Sequence, residues 1–469
     1  MRALMLEFNE LTPTLMDRFI RDGHLPNFER LRDQSHDFVT DAQEEPPFLE
    51  PWIQWVTVHT GKSYAEHQCF KLNDGSRYKE RRLWDHCGAA GLSSLVGGSM
   101  NASFDPQVFR GHFIPDPWAD DLGDYPADAF KPYLDVVRAF VKEHSGKPDI
   151  SPMAMARFGS FMLANGLSIE TMTATVKQLL DERQSATKWK RPLILDRLQW
   201  DLFKGLYKKN RPDFATFFLN STAHFQHFYW REMEPDLFTI KPDEKALENH
   251  SAAILAGYKS MDRIVGQAFD LIDADTALIL CTALSQKPML TYEDAQGRQI
   301  FRQKDITQLL DFAGVTHMTE FVPVMSQEFM LHCENDDEAR TISQQLEALV
   351  FDDGSKVMWA APIGEGKINA GCKVSSDPGD ALVRSTLSNQ TASFSQLFYP
   401  LESLRSGMHD PHGLFWLHAP GIEAKRHAEP VPLDRVYPTL VDILGLEEAL
   451  CANPSLIDGK VRSASLQAA

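Results

Sequence analysis

The residues best suited to chemistry in this chain come just after short apolar runs. Asn9 and Glu10 follow MRALMLEF, and Ser99, Met100 and Asn101 follow the run 92–97 and Gly98. Asn220, Ser221 and Thr222 follow FATFFL, and Ser285 and Gln286 come shortly after TALILC. His224 and His227 lie in an aromatic stretch beyond the third run, and His409 and His412 in a late loop, GMHDPHG. The set is rich in amides, hydroxyls and imidazoles, and its candidate acids are Glu7, Glu10 and Glu50. Amides hydrogen-bond a ligand's hydroxyls or phosphate oxygens. Imidazoles move protons or bind metals, and a carboxylate serves as nucleophile or general base.

Each of these residues also has a plainer use. Asn9, Asn101 and Asn220 suit turns without any ligand. Glu50 ends an acidic, Pro-rich loop, TDAQEEPPFLEP, and can instead cap the segment that comes after it. Glu7 shares a strand face with Asn9, and burial there demands a partner, so a salt bridge rivals a role as site acid. Ser285 and Gln286 could donate to an anion, or Ser285 could cap a helix. The four histidines could hold one divalent metal with Glu7 or Glu50, or simply pack. HTGKS, at 59–63, lacks the leading glycine of a phosphate-binding loop, and the acids of 105–121 lack calcium-loop spacing.

These side chains must be positioned by strands that end at one edge. The apolar runs read as buried strands alternating with helices: 14–32, 82–90, 247–273 and 433–444. Segment 52–61 fits either element, and 105–132 reads as irregular. That alternation predicts an α/β fold, a doubly wound, mostly parallel sheet, whose ligands bind beyond the carboxyl ends of the strands. Residues 120–211 read as a helical insertion. Residues 289–381 read as a small α+β insertion, with strands at 329–333 and 356–359 flanking a helix at 337–349. The core is then 1–119, 212–288 and 382–469, with a loose polar tail from Ala452.

The chain has 469 residues and a formal charge of −18. That charge argues against nucleic-acid binding, which needs a basic footprint. No apolar run reaches the roughly 18 residues of a membrane-spanning helix, and no signal-peptide pattern opens the sequence. Six scattered cysteines form no CxxC pair, which suits reduced thiols and a cytoplasmic location.

Six segments, in order, resemble the alkaline phosphatase superfamily, most of all its type I phosphodiesterase/nucleotide pyrophosphatase branch. They are LEFNEL with LPNFERL, PWIQWVTVHTG, FFLNSTAHFQHFYW, LILCTALSQ, GMHDPHGLFW and LDRVYPTLVDILGL. The resemblance implies two divalent metals flanking a Thr or Ser nucleophile. This chain departs from that pattern. Asn9, Ala223, Ala283 and Leu284 stand where the resemblance expects metal ligands, while His227 and His409 are kept. Glu50 stands in the nucleophile's window. With those departures, the resemblance implies a divergent hydrolase or transferase acting on a phosphate ester or sugar-like small molecule. Its expected catalytic residues are Glu50, His409 and His227, and its expected substrate contacts are Asn9, Asn101, Asn220, Ser285, Gln286 and His412. No paired metal centre is expected, although one divalent ion has a place. The alternative is an inactive relative that binds a ligand or partner.

Overall fold

The computed structural model describes residues 1–119, 122–141, 150–183, 187–318, 320–324, 327–388, 390–446 and 453–457. Cys451 and most of the tail from Ala452 lie outside them. In chain order the strands that build the site are β1 (Arg2–Phe8), β2 (His36–Asp41), β3 (Ser94–Gly97), β4 (Gly111–Ile114), β5 (Phe214–Leu219), β6 (Thr276–Cys281), β7 (Ser285–Pro288), β8 (Gly407–Asp410) and β9 (His412–His418). The central sheet runs β2-β9-β6-β1-β5-β3-β4, with short edge pieces beyond β2. β6, β1, β5, β3 and β4 are mutually parallel, and β9 runs against both its neighbours. The fold is therefore α/β with a mostly parallel sheet, as expected.

Period-two alternation sorts the sheet into two cores. Leu4, Leu6 and Phe8 of β1 join Ala215, Phe217 and Leu219 of β5 and Leu278 and Leu280 of β6 on one face. Ala3, Met5, Phe214, Phe218, Ala277, Ile279 and Cys281 form the other. Helices α1 (Pro13–Arg21), α2 (Pro26–Asp33), α5 (Arg191–Asn210), α6 (Ser221–Met233) and α7 (Ala253–Phe269) cover the first face. Helices α3 (Pro51–Thr60), α4 (Leu83–Ala89) and α8 (Val436–Leu444) cover the second.

Several elements differ from the sequence reading for local reasons. The helix expected over 14–32 is two, α1 and α2, because Gly23 turns left-handed (φ 75°) and Pro26 lacks an N–H. The long helix expected over 247–273 is split at Ser251–Ala252 into a short helix, Glu244–His250, and α7. Segment 52–61 is a helix, stopped at Gly61 in the left-handed region, where a Cβ would lie 2.8 Å from the Tyr437 ring. The stretch read as irregular contains β4, whose Gly111 sits so close to Ser94 that a Cβ would meet its carbonyl at 1.9 Å.

A separate lobe carries its own antiparallel sheet of Met358–Gly364, Lys367–Cys372, Glu328–His332 and Glu320–Pro323, backed by the helix Asp336–Glu347. Its hydrophobic core draws on residues from Phe301 to Phe398. No helix among the described residues is long and apolar enough to cross a membrane.

Candidate active site

The tips of β1, β5 and β6 are adjacent in the sheet, and the chain leaves β1 still paired on both sides. Asn9 N–H donates to Leu219 O at 3.0 Å, and Glu10 N–H to Thr282 O at 3.3 Å. At Glu10 the backbone turns left-handed (φ 62°), which breaks the strand's alternation. The buried Glu10 carboxylate is then gripped from two sides. Asn9 Nδ2 donates to Oε1 at 2.7 Å and Gln286 Nε2 to Oε2 at 2.5 Å. Gln226 of α6 holds the Glu10 carbonyl at 2.7 Å.

Two imidazoles face the same carboxylate oxygen. His227 Nε2, from α6, is 3.3 Å from Glu10 Oε2, and His409 Nε2, from β8, is 3.5 Å away. Their rings lie 5.2 Å apart, edge to face. β7 and β8 set this spacing by pairing Gln286 directly opposite His409. Gly407 permits the approach, because a Cβ there would lie 2.3 Å from Gln226 O and 2.4 Å from Gln286 Oε1.

Charge follows from geometry. Burial works against the Glu10 carboxylate, but His409, His227 and the donated hydrogen bonds outweigh it and hold its pKa down at about 2. Burial pushes His409 down to about 4, and burial with the nearby Arg405 guanidinium also lowers His227. At neutral pH the carboxylate is therefore ionised and both imidazoles are uncharged. His409 Nδ1 lies 2.9 Å from the Leu49 carbonyl, so that nitrogen carries the proton. Its Nε2 lone pair then faces a carboxylate oxygen, two acceptors that come together only around a proton or a cation. His227 Nδ1 is 3.2 Å from both Gly407 O and Arg405 Nη2, so it can adopt either tautomer.

Glu50 is the N-cap residue of α3, yet its side chain makes no cap hydrogen bond. It reaches instead to 3.5 Å from His409 Nδ1. Burial, with Glu10 and Glu328 adding repulsion and Arg405 opposing, pushes its pKa up to about 8. Glu50 thus carries a proton at neutral pH, and its side chain is 30% exposed at the mouth.

The other expected site residues go to several places. Asn9 accepts from Trp55 Nε1 at 2.8 Å and donates to Asn220 Oδ1 at 2.7 Å as well as to Glu10, so Asn9 and Asn220 orient the carboxylate. Gln286 does the same. Asn101 is turned away. It binds Gly75 N–H and the carbonyls of Trp52 and Lys71, which ties the loop before α4 to α3. Ser285 is buried and opens β7 rather than capping a helix. His412, 46% exposed, pairs with Asp410, and His224 pairs with Glu402. Glu7 is fully buried against His59 Nε2 at 2.8 Å and the Thr216 hydroxyl at 2.5 Å. Neither Glu7 nor Glu50 completes the imidazole set; Glu10 does. In the sequence Glu10 is one candidate acid among three, and no motif marks Arg405 or Gln226.

The donor set can be tested against the metals that the resemblance implies. The positions that the resemblance gives to the ligands of a second ion do not supply them. Ala283 and Leu284 lie in the apolar core, and both ends of the Asn9 amide are spent on protein groups. A single ion does fit, since Glu10, His227 and His409 each bring a ligand atom within 4.8 Å of the others, the one such group among the described residues. Three protein ligands with an open fourth position is the pattern of catalytic zinc sites.

A mostly parallel sheet with this cluster at its carboxyl rim defines an α/β protein whose candidate site lies where such sheets place one. Residues 3–348 match the model of the type I phosphodiesterase / nucleotide pyrophosphatase family, and the chain belongs to that family. No curated protein matches it. Among solved structures it is similar to human ectonucleotide pyrophosphatase / phosphodiesterase 5, at 10% identity over 99% of both chains with a TM-score of 0.43. The murine form of that protein shares 11% identity over 97% of each chain, TM-score 0.43. A mutant of alkaline phosphatase PafA shares 12% identity over 97% of this chain and 98% of its own, TM-score 0.45.

Proposed function

We propose that this chain is a divergent phosphate-ester hydrolase or transferase. Protons are moved by Glu50 and His409, with the Glu10 carboxylate and His227 beside them, rather than by a metal pair. The observation that carries the reading is the unbroken line Glu50–His409–Glu10–His227, with steps of 3.5, 3.5 and 3.3 Å. The uncharged His409 accepts the proton of an attacking water or hydroxyl as the new P–O bond forms. Glu50, protonated at the mouth, gives its proton to the leaving oxygen as the old P–O bond breaks. The ionised Glu10 stabilises the imidazolium. The imidazolium then gives its Nδ1 proton to Glu50 across their contact, which reprotonates the acid and leaves His409 neutral with its proton on Nε2; exchange with water returns that proton to Nδ1. An ion held by Glu10, His227 and His409 would supply Lewis-acid polarisation of a phosphoryl oxygen.

The proposed substrate is a small phosphate ester, and an amide-rich rim suits one that also carries hydroxyls, as a sugar phosphate does. Five of the cysteines are free and buried, which suits a reducing compartment such as the cytoplasm. A second reading, binding without turnover, draws support from Asn9, Asn220 and Gln286, whose amide groups bind one another, Glu10 and the Ala223 carbonyl.

One experiment separates the two. Purified protein is assayed on aryl phosphate monoesters, diesters and sugar nucleotides, with EDTA, with added zinc and with added manganese. Turnover that survives EDTA and falls in His409→Ala and Glu50→Gln supports the proposal. Turnover that appears only with metal and is unchanged in Glu50→Gln overturns it. Ligand-dependent thermal stabilisation with no turnover establishes the binding reading.

A further inference from the structure

Arg405 and Arg298 meet in a way that is unfavourable unless something lies between them. They are directly opposite in an isolated antiparallel bridge, with Arg405 N–H donating to Arg298 O at 2.8 Å. Directly opposed residues of such a pair project to the same face, and like charges placed so are destabilising. Burial, then the Arg298 guanidinium, act against the charge on Arg405, while Glu50 and Glu10 act for it from beyond ion-pair distance. Among the described residues neither arginine makes an ion pair that would relieve this. The ionised Glu10 is held by the Asn9 and Gln286 amides, with the uncharged His227 and His409 beside it.

The position of this pair in the chain gives it a purpose. Arg405, Gly407 and His409 are spaced two apart along one extended segment, so their side-chain positions share one face. Arg405 Nη2 reaches His227 Nδ1 at 3.2 Å and its Nε donates to Gly407 O at 3.3 Å, while Nη1 makes no hydrogen bond among the described residues. Arg298 makes no side-chain hydrogen bond among the described residues. Its guanidinium lies 5.5 Å from the centre of the Tyr292 ring, and it is half-buried rather than extended into solvent. Two guanidinium forks beside the imidazole cluster match the oxygens of a tetrahedral oxyanion, which arginine binds in pairs of parallel hydrogen bonds.

We infer that Arg298 and Arg405 form a clamp for a dianionic phosphoryl group, so that the substrate is a terminal phosphate, as in a monoester, rather than an internal diester. The inference rests on the proposed function for its location and narrows the substrate class of the same site. Two fixed positive charges take over the charge neutralisation for which the second metal position offers no ligands. A diester presents one negative charge and two substituted oxygens, so it leaves one fork unfilled.

The test uses inorganic phosphate and dimethyl phosphate as probes, by calorimetry on the full chain near pH 7.5 at constant ionic strength. Phosphate is expected to bind the wild type and dimethyl phosphate to bind at least tenfold more weakly. Arg298→Gln is expected to weaken phosphate about tenfold or more, and Arg298→Lys to fall between. Beyond its place over the Tyr292 ring, the Arg298 side chain makes no hydrogen bond or ion pair among the described residues, so these variants should fold, and circular dichroism checks that they do. Arg405→Gln is the less clean variant, because Arg405 also supports His227. Wild type that fails to bind phosphate, equal binding by Arg298→Gln, or equal binding of both probes overturns the clamp. Phosphate binding that depends on Arg298 in a protein without esterase turnover leaves the clamp standing and removes the catalytic reading. Turnover indifferent to Arg298→Gln does the reverse.

Discussion

Asp196 offers a test of the charge distribution around the site that needs no substrate. It lies on α5, buried, with the Ser221 hydroxyl donating to it. Ser221 opens α6, the helix that carries His227, so this contact fixes where α6 begins. Burial lifts the Asp196 pKa from 3.8 to about 7, against the pull of Ser221, Arg263 and Arg197. Below about pH 4 the folded and unfolded chains both hold the proton, and the site costs nothing. As pH rises from 4 to 7 the unfolded chain ionises first, so stability is progressively lost, and above 7 the loss is complete. A shift of about 3 units corresponds to about 4 kcal/mol. Asp196→Asn removes this dependence. The amide brings its own constant penalty of about 1–3 kcal/mol for an unpartnered donor, but that penalty does not vary with pH. The variant should therefore be the less stable form at pH 4.5 and gain steadily on the wild type up to pH 8. The melting temperature of a chain this long moves about 1–2 °C per kcal/mol, scaling from smaller domains. About three-quarters of that cost falls between pH 4.5 and 8, so the difference between the two proteins should swing by about 3–6 °C, and every other titrating group cancels from it. A difference that stays flat from pH 4.5 to 8 would show that Asp196 is ionised in the folded chain and that the reasoning from burial is wrong.

The same geometry gives two further outcomes. With Glu50 as the acid, the rate should fall tenfold per pH unit above about 8. Glu50→Gln should lower it by about 10²–10⁴-fold and erase that limb; an alkaline limb that persists in the variant rules the assignment out. Gly407→Ala places a methyl 2.3 Å from Gln226 O and 2.4 Å from Gln286 Oε1. Overpacking of that kind costs about 1–3 kcal/mol, so melting should drop and turnover should fall with it. An alanine variant as stable as wild type would mean that β8 does not sit against α6 as described.

The elements that sequence made legible are those where one physical signal dominates. FATFFL and TALILC are continuous apolar runs bounded by polar residues, and their strands begin and end where the runs do. Breaks set by single residues were harder to see. Gly23 and Pro26 split a helix whose periodicity continues on both sides. β4 has only four residues, one of them His112. At the site the histidines stood out by type, and His227 and His409 do converge, but their partner could not be read from alternation. Nor could Asn101 be told from Asn9, since which amide a neighbouring backbone consumes depends on contacts distant in sequence.

The placement of the carboxylate shows why. Alternation sends residue 9 to the face that Ala3, Met5 and Glu7 share, toward α3, and Asn9 accordingly meets Trp55. A carboxylate there would have no imidazole within the present cluster. Glu10, one residue later, adopts a left-handed backbone that strand periodicity does not anticipate. That single turn brings its carboxylate to His227, His409 and Gln286 together. Asn9 then supplies what a neighbouring carboxylate could not, a donor to Glu10 Oε1 that balances the charge without repelling it. The amide at 9 and the acid at 10 therefore act as one unit. Exchanging them would set the negative charge against the Trp55 side of the sheet and leave both imidazoles facing an amide.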